Sequence, residues 1–280
     1  MNLNPLFSVN RHEPFEDYGR IAIESRAITQ VEFASNKLIA KYKTLPQSLN
    51  GRYINSDLFK ELFPDYATSP MHRTLSNVPI HNSAAVLSNA LFREQVKNNP
   101  NKKVLFLTGA PGSGKSTLVN ASHDLLRDYQ VIYEGQLSVY DQAKEKLCYC
   151  LEHSCKVTIL ALHRKPEKNL EHTLLRFSAM GRGASLAVIS NIQGLLGPSL
   201  KKLYEEFANK INFYIFDLRD NHVRLTTGND AISILSEEGN RETIYAKLRQ
   251  TLETWYNEGK ISNAAYRDAL GRSPAVRATL

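Results

Sequence analysis

The residues best placed to do chemistry are Gly109-Ala110-Pro111-Gly112-Ser113-Gly114-Lys115-Ser116-Thr117, a G-x-x-x-x-G-K-S pattern. The apolar run Val104–Thr108 precedes it, and an apolar-periodic segment, Leu118–Leu126, follows. Glycines here leave no Cβ between the backbone and a ligand. The N–H groups of such a turn, and of the helix start behind it, can converge on phosphate oxygens. Lys115 would reach the outer phosphates of a bound nucleotide, and the Ser116 hydroxyl would hold Mg²⁺. An ordinary connecting turn has no need of Lys-Ser after its last glycine. A site for ATP or GTP is the expectation.

Transfer of a terminal phosphoryl group needs a base on the acceptor side and cations on the migrating group. Asp57 follows the short apolar stretch Tyr53–Asn55 and could take a proton from a substrate hydroxyl; a helix cap is its plainer role. Glu134 ends the strand-like Val131–Tyr133 and could bind a substrate hydroxyl or reach Mg²⁺ through water. Arg176 and Arg182 bracket Phe177–Gly181 and could neutralise charge on the γ-phosphate. Gly181 and Gly183 read as the hinge of a closing lid. Arg164-Lys165 and Lys201-Lys202 read as solvated charge.

These residues need elements to hold them. The pattern predicts one or two amphipathic helices over 15–42, a short strand at 53–55 and a helix from Asp57 capped by Ser56 or Asp57. It then predicts a loop over Thr68–Val78 and a helix over Asn82–Lys97. Beyond the glycine-rich turn it predicts strands at 129–133, 156–162, 212–218 and 223–226. The intervening helices are Ser138–Leu151, Pro166–Met180 and Pro198–Asn209, with 186–194 irregular or helical. A final helical pair breaks at Asn257-Glu258-Gly259. Residues 1–14 read as irregular, and Asn98–Asn101 and Asp220-Asn221 as turns. Alternating strands and helices around a phosphate loop imply an α/β three-layer sandwich with a mostly parallel sheet, of P-loop kinase type. The expected organisation is a helical segment 1–48, a kinase-like domain 49–230 and a helical segment 231–280 packed on that domain.

The 280 residues are enough for a sizeable core, and the net charge of +7 suits anionic ligands. The basic residues do not interleave with aromatics in a stripe, which argues against nucleic acid as partner. No apolar run reaches membrane-spanning length, and the N-terminus lacks the apolar stretch of a signal peptide. Cys148, Cys150 and Cys155 form C-x-C-x₄-C without the paired spacing of a zinc site, so buried free thiols in a reducing, cytoplasmic protein are expected.

Several segments together resemble the zeta toxin family of P-loop kinases. Ile54-Asn55-Ser56-Asp57-Leu58-Phe59 with Pro64-Asp65-Tyr66 is similar to the family's Asp segment, and Tyr133-Glu134-Gly135 to its Glu-Gly strand end. Leu174-Leu175-Arg176-Phe177 with Met180 is similar to its arginine helix. The resemblance covers about residues 50–228. It implies ATP-dependent phosphorylation of a hydroxyl of a nucleotide sugar such as UDP-N-acetylglucosamine, a toxin's role, and an antitoxin as partner. By matching position it implies Asp57 as base, Lys115 and Ser116 for phosphate and Mg²⁺, Glu134 on the substrate side, and Arg176 with Arg182 at the γ-phosphate. The chain departs from the family in order, since the Asp segment precedes the phosphate loop. It also lacks the acidic residue on the helix 82–97, where Val86 or a neighbour stands, and has Ser138 at an often basic position. Alternatives are a P-loop kinase acting on a polynucleotide end or a small alcohol, and a nucleotide-binding interaction protein without catalysis. Segment 1–48 could itself cover the nucleotide site as a built-in inhibitor.

Overall fold

The structure is a computed structural model describing residues 7–12, 15, 17–98, 101–220, 223–236 and 239–272. Most of the expected irregular start and parts of the turns at 98–101 and 220–221 lie outside these residues. The chain divides into two units. One comprises residues 1–98 with 178–182 and 273–280, the other 99–177 with 183–272.

The first unit holds α1 (Tyr18–Lys43), β1 (Tyr53–Asn55), α2 (Ser56–Lys60), α3 (Pro64–Ala67), α4 (Pro70–Ser76) and α5 (His81–Lys97). Helix α1 begins where the Asp17 side chain accepts from Arg20 N–H, and it kinks at Ala34, whose φ is −134°. Its buried Ile23, Ala27, Val31 and Tyr42 recur at helical spacing, and α1 packs on α5, which buries Ala84, Leu87 and Leu91. Tyr42 does more than fill space. Its ring stacks on Phe59 with centroids 3.7 Å apart. Its hydroxyl donates to Tyr53 O (2.9 Å) and accepts from Asn55 N (3.0 Å). One α1 side chain thus fixes both the end of β1 and the start of α2.

Two expectations are corrected in this unit. Residues 70–76 are helix, not loop. Ser69 caps them by accepting from His72 N–H, and Pro70 stands at a first-turn position, where its missing donor costs nothing. The cap of α2 is Asn55, whose Oδ1 accepts from Asp57 N–H at 2.7 Å, and neither Ser56 nor Asp57. The Asp57 carboxylate is therefore available for other partners.

The second unit holds β2 (Lys103–Thr108), α6 (Lys115–Ala121), α7 (His123–Leu126), β3 (Val131–Glu134), α8 (Tyr140–Glu152), β4 (Lys156–His163) and α9 (Pro166–Met180, its last residues in the first unit). It continues with α10 (Leu186–Phe207), β5 (Ile211–Asp217), β6 (Arg224–Thr227), α11 (Gly228–Ser236), α12 (Arg241–Asn257) and α13 (Asn263–Ala269). Its strands lie in the order β3-β2-β4-β5-β6, parallel except for the antiparallel edge strand β6. This is the expected α/β architecture with a mostly parallel sheet. β4 reads as a continuous buried run because both faces of the sheet are covered.

The chain goes from β2 to β3 on one side and then crosses to β4 on the other. Since parallel crossovers are right-handed, these two connections lie on opposite faces of the sheet. The reversal opens a crevice at the carboxyl ends of β2 and β4, the place where such sheets bind ligands.

Helix α10 runs unbroken through Pro198, so 186–194 is helix and the helix expected at 198–209 starts earlier. Cys150 and Cys155 are buried free thiols, both pushed up by burial, and Cys148 is also unbridged. Leu170 and Leu174 of α9, Leu186 and Ile189 of α10, and Ile244, Leu248 and Leu252 of α12 form one apolar cluster with α13. This cluster docks the C-terminal helices. Among the described residues no helix is long and apolar enough to cross a membrane.

Candidate active site

In the second unit, residues 109–114 turn out of β2 and enter α6, with Gly109, Gly112 and Gly114 all at positive φ. Gly112 allows no other residue: at φ +83° its Cβ would stand 2.3 Å from Asn169 O. The close approach binds the loop to the start of α9, and His172 Nδ1 donates to Gly112 O at 2.9 Å, which fixes the tautomer. Lys115 Nζ donates to Gly109 O (2.8 Å) and Ala110 O (3.1 Å). Ser113 Oγ is fully buried and has no hydrogen-bond partner among the described residues.

These features fit a polyphosphate: three glycines at positive φ leading into a helix start, an ammonium at the loop, and an orphaned buried hydroxyl. Ser116 and Thr117 are exposed in the first turn of α6, where Ser116 could hold Mg²⁺ together with phosphate oxygens and water. Ala110 is buried and Pro111 half-buried, so the loop is walled rather than splayed.

Glu134 ends β3 in register with Leu107 of β2, and Gly135 N–H donates to Leu107 O (3.2 Å). It is half-buried and adjoins the strand that carries the phosphate loop. Arg176 projects from α9, not from a strand end, and interacts electrostatically with Asp268 of α13. Burial pushes the Asp268 carboxyl up to about 6, with Arg176 pulling the other way.

In the first unit Asp57 and Arg182 come together. Arg182 Nη2 donates to Asp57 Oδ2. On the other side, Lys60 Nζ lies 3.1 Å from Asp57 Oδ1 and donates to Asn77 Oδ1 (2.7 Å), with only 3% of the Lys60 side chain exposed. Beside this group Arg73 grips Glu61 through Nε (3.2 Å) and Nη2 (2.9 Å) and lies over the Tyr66 ring. Burial pushes the Tyr66 phenol up to about 12, and its hydroxyl has no hydrogen-bond partner among the described residues.

The glycines beside Arg182 are not a free hinge. A Cβ on Gly181, at φ +70°, would lie 1.9 Å from Pro70 O, and Thr74 Oγ1 donates to Gly181 O (2.8 Å). A Cβ on Gly183 would lie 2.0 Å from Asp268 Oδ2. Both glycines are closely packed, which corrects their reading as the hinge of a closing lid.

The sequence reading passed over two strand-end residues and misjudged a third. His163 ends β4 in register with Asp217 of β5, and both are buried. Arg219 holds Asp217 through Nε and Nη2, both at 2.9 Å, which keeps that carboxyl below its usual range. Arg164 follows β4 directly and is half-buried, not the solvated charge expected. The signal was the one that singled out Asp57 and Glu134, a charged or polar residue just past an apolar strand.

No protein-family model matches the sequence, and no curated protein does. Solved structures with similar coordinates include the PezAT chromosomal toxin–antitoxin system of Streptococcus pneumoniae. That chain is 16% identical, with 86% of this chain and 84% of that one covered and a TM-score of 0.42. An AvrRxo1-ORF1:AvrRxo1-ORF2 complex with sulphate ions is 10% identical over 95% of this chain and 93% of that one, with a TM-score of 0.45. A native AvrRxo1-ORF1:-ORF2 complex is 11% identical over 66% and 80%, with a TM-score of 0.41.

Proposed function

We propose that the chain is an ATP-dependent phosphotransferase acting on an alcohol. The reading rests above all on the phosphate loop, where three glycines at positive φ, a lysine and a helix start meet at the sheet's switch point. The loop's N–H groups and Lys115 bind the β- and γ-phosphates, and Ser116 would hold Mg²⁺, which would supply positive charge to offset that of the phosphates. Asp57 takes the proton of the acceptor hydroxyl. The freed oxygen forms a bond to the γ-phosphorus as the bond to the bridging oxygen breaks, and ADP leaves. Arg176 steadies the charge on the three γ-oxygens. Arg182, in ion pair with Asp57, holds the carboxylate's direction and offers a second cation. Glu134 binds a hydroxyl of the acceptor.

The acceptor class follows the resemblance to zeta toxins: a nucleotide sugar, with UDP-N-acetylglucosamine first among candidates. On the same ground the protein is a toxin, with an antitoxin as inhibitor.

The test is γ-labelled ATP with a panel of nucleotide sugars and simpler alcohols, with products identified by mass spectrometry. Asp57→Asn is expected to keep ATP affinity within about two-fold and to lose turnover by about 100-fold or more. An Asp57→Asn protein as active as wild type removes the assigned base.

A further inference from the structure

We propose that Arg164 is a ligand of the nucleotide's polyphosphate, a fixed cation on the wall of the phosphate loop opposite Lys115. The inference rests on the nucleotide-binding reading above and adds to it a residue that the motif does not contain.

The first ground is position. β2 and β4 are parallel neighbours with Thr108 opposite Ala161. The residues just past β4 therefore border the loop that follows β2, on the crevice side where the strand order reverses. The side chain confirms this placement: Arg164 Nη2 lies 3.9 Å from where a Cβ on Gly114 would be.

The second ground is charge. Arg164 Nε is buried without a hydrogen-bond partner among the described residues. Burial alone shifts this guanidinium downward, with no carboxylate contributing. Other half-buried or buried cations among the described residues have an acid partner, as Arg219 has Asp217 and Lys60 has Asp57. A desolvated cation without a counter-charge is costly to keep, and an arriving anion offsets that cost.

The third ground is preorganisation. Arg164 O accepts from Gln193 Nε2 (2.8 Å) and Asn169 Nδ2 (3.4 Å). Both donors are buried, and Asn169 is the residue whose backbone meets Gly112. The backbone that carries the guanidinium is thus tied to the same wall that shapes the loop. A planar donor fork held in place suits phosphate oxygens.

Calorimetric titration of the full chain with MgATP tests this. Arg164→Gln is expected to weaken ATP binding by at least about ten-fold, and Arg164→Lys by less, with melting temperatures of the unliganded proteins close to wild type. Arginine modification by a dicarbonyl reagent, read on the peptide containing residue 164, gives an answer from the wild type alone. At an ATP concentration about ten times its Kd, modification there slows about ten-fold, and adenosine does not slow it. Wild-type affinity in Arg164→Gln, or modification that ATP does not slow, overturns the inference. If ATP binds wild type, is weakened by Lys115→Met and is untouched by Arg164→Gln, only the role of Arg164 fails. If wild type binds no nucleoside triphosphate, both readings fall.

Discussion

Gly112 and Asp268 show how single residues carry the second unit's geometry. At Gly112 a methyl group meets the Asn169 carbonyl at 2.3 Å in a backbone region that disfavours side chains. Gly112→Ala is expected to cost about 1–3 kcal/mol in denaturant unfolding and to abolish nucleotide binding, because the loop must move off α9. Asp268 makes a pH prediction. Its folded value of about 6 lies above its unfolded value of 3.8, so the folded state binds the extra proton between those pH values. Stability is then lost as pH rises through that window and stays lost above it. Asp268→Asn is expected to match wild type near pH 4 and to melt at a higher temperature than wild type at pH 7. An unchanged difference between the two proteins across that range contradicts the burial argument. The glycine-rich turn was legible in the sequence because an ordinary connection has no need of Gly, Lys and Ser at that spacing. Arg164 was not, because beside Lys165 it reads as a solvated pair, and only the fold turns it to the crevice. Gly181 and Gly183 were misread for a related reason: composition does not separate a glycine needed for freedom from one needed for closeness.

Among elements, hydrophobic period carried the helices and strands, and tertiary contacts and caps decided the rest. The strands β2, β4 and β5 were legible as apolar runs of strand length, and α9 by its periodicity and its opening proline. Helix α4 was hidden because Pro70 looks like a breaker until Ser69 is seen capping it. The continuity of α10 through Pro198 was hidden too, since a proline inside a helix removes a bond that packing has to make up. A Cβ on Gly197 of that helix would lie 2.8 Å from Leu235 O of α11, so α10 and α11 pack at backbone distance there. The C-terminal pair α12–α13 is held by its apolar cluster, in which Leu248 is fully buried. Leu248→Ala is expected to destabilise the protein by about 3 kcal/mol in chemical denaturation. A loss below about 1 kcal/mol would mean that these helices are an appendage and not part of the unit's core.

At the scale of the whole chain, a protein with net charge +7 folds as two units. The second carries the phosphate loop, Arg164, Glu134 and Arg176. The first carries Asp57 with Arg182 and Lys60. The α/β class and the strand–loop–helix that carries residues 109–117 could be read from the sequence. That residues 178–182 belong with residues 1–98 could not, because such an association is made by contacts far apart in the chain. The central claim is that the loop of residues 109–117 binds a nucleoside triphosphate. The most direct measurement is the melting temperature of wild type and Lys115→Met against increasing MgATP. At ATP concentrations about 100-fold above Kd, wild type should gain about 2.7 kcal/mol and melt several degrees higher, while Lys115→Met shows little or no rise. Equal shifts in both proteins, or no shift in wild type, would contradict the account.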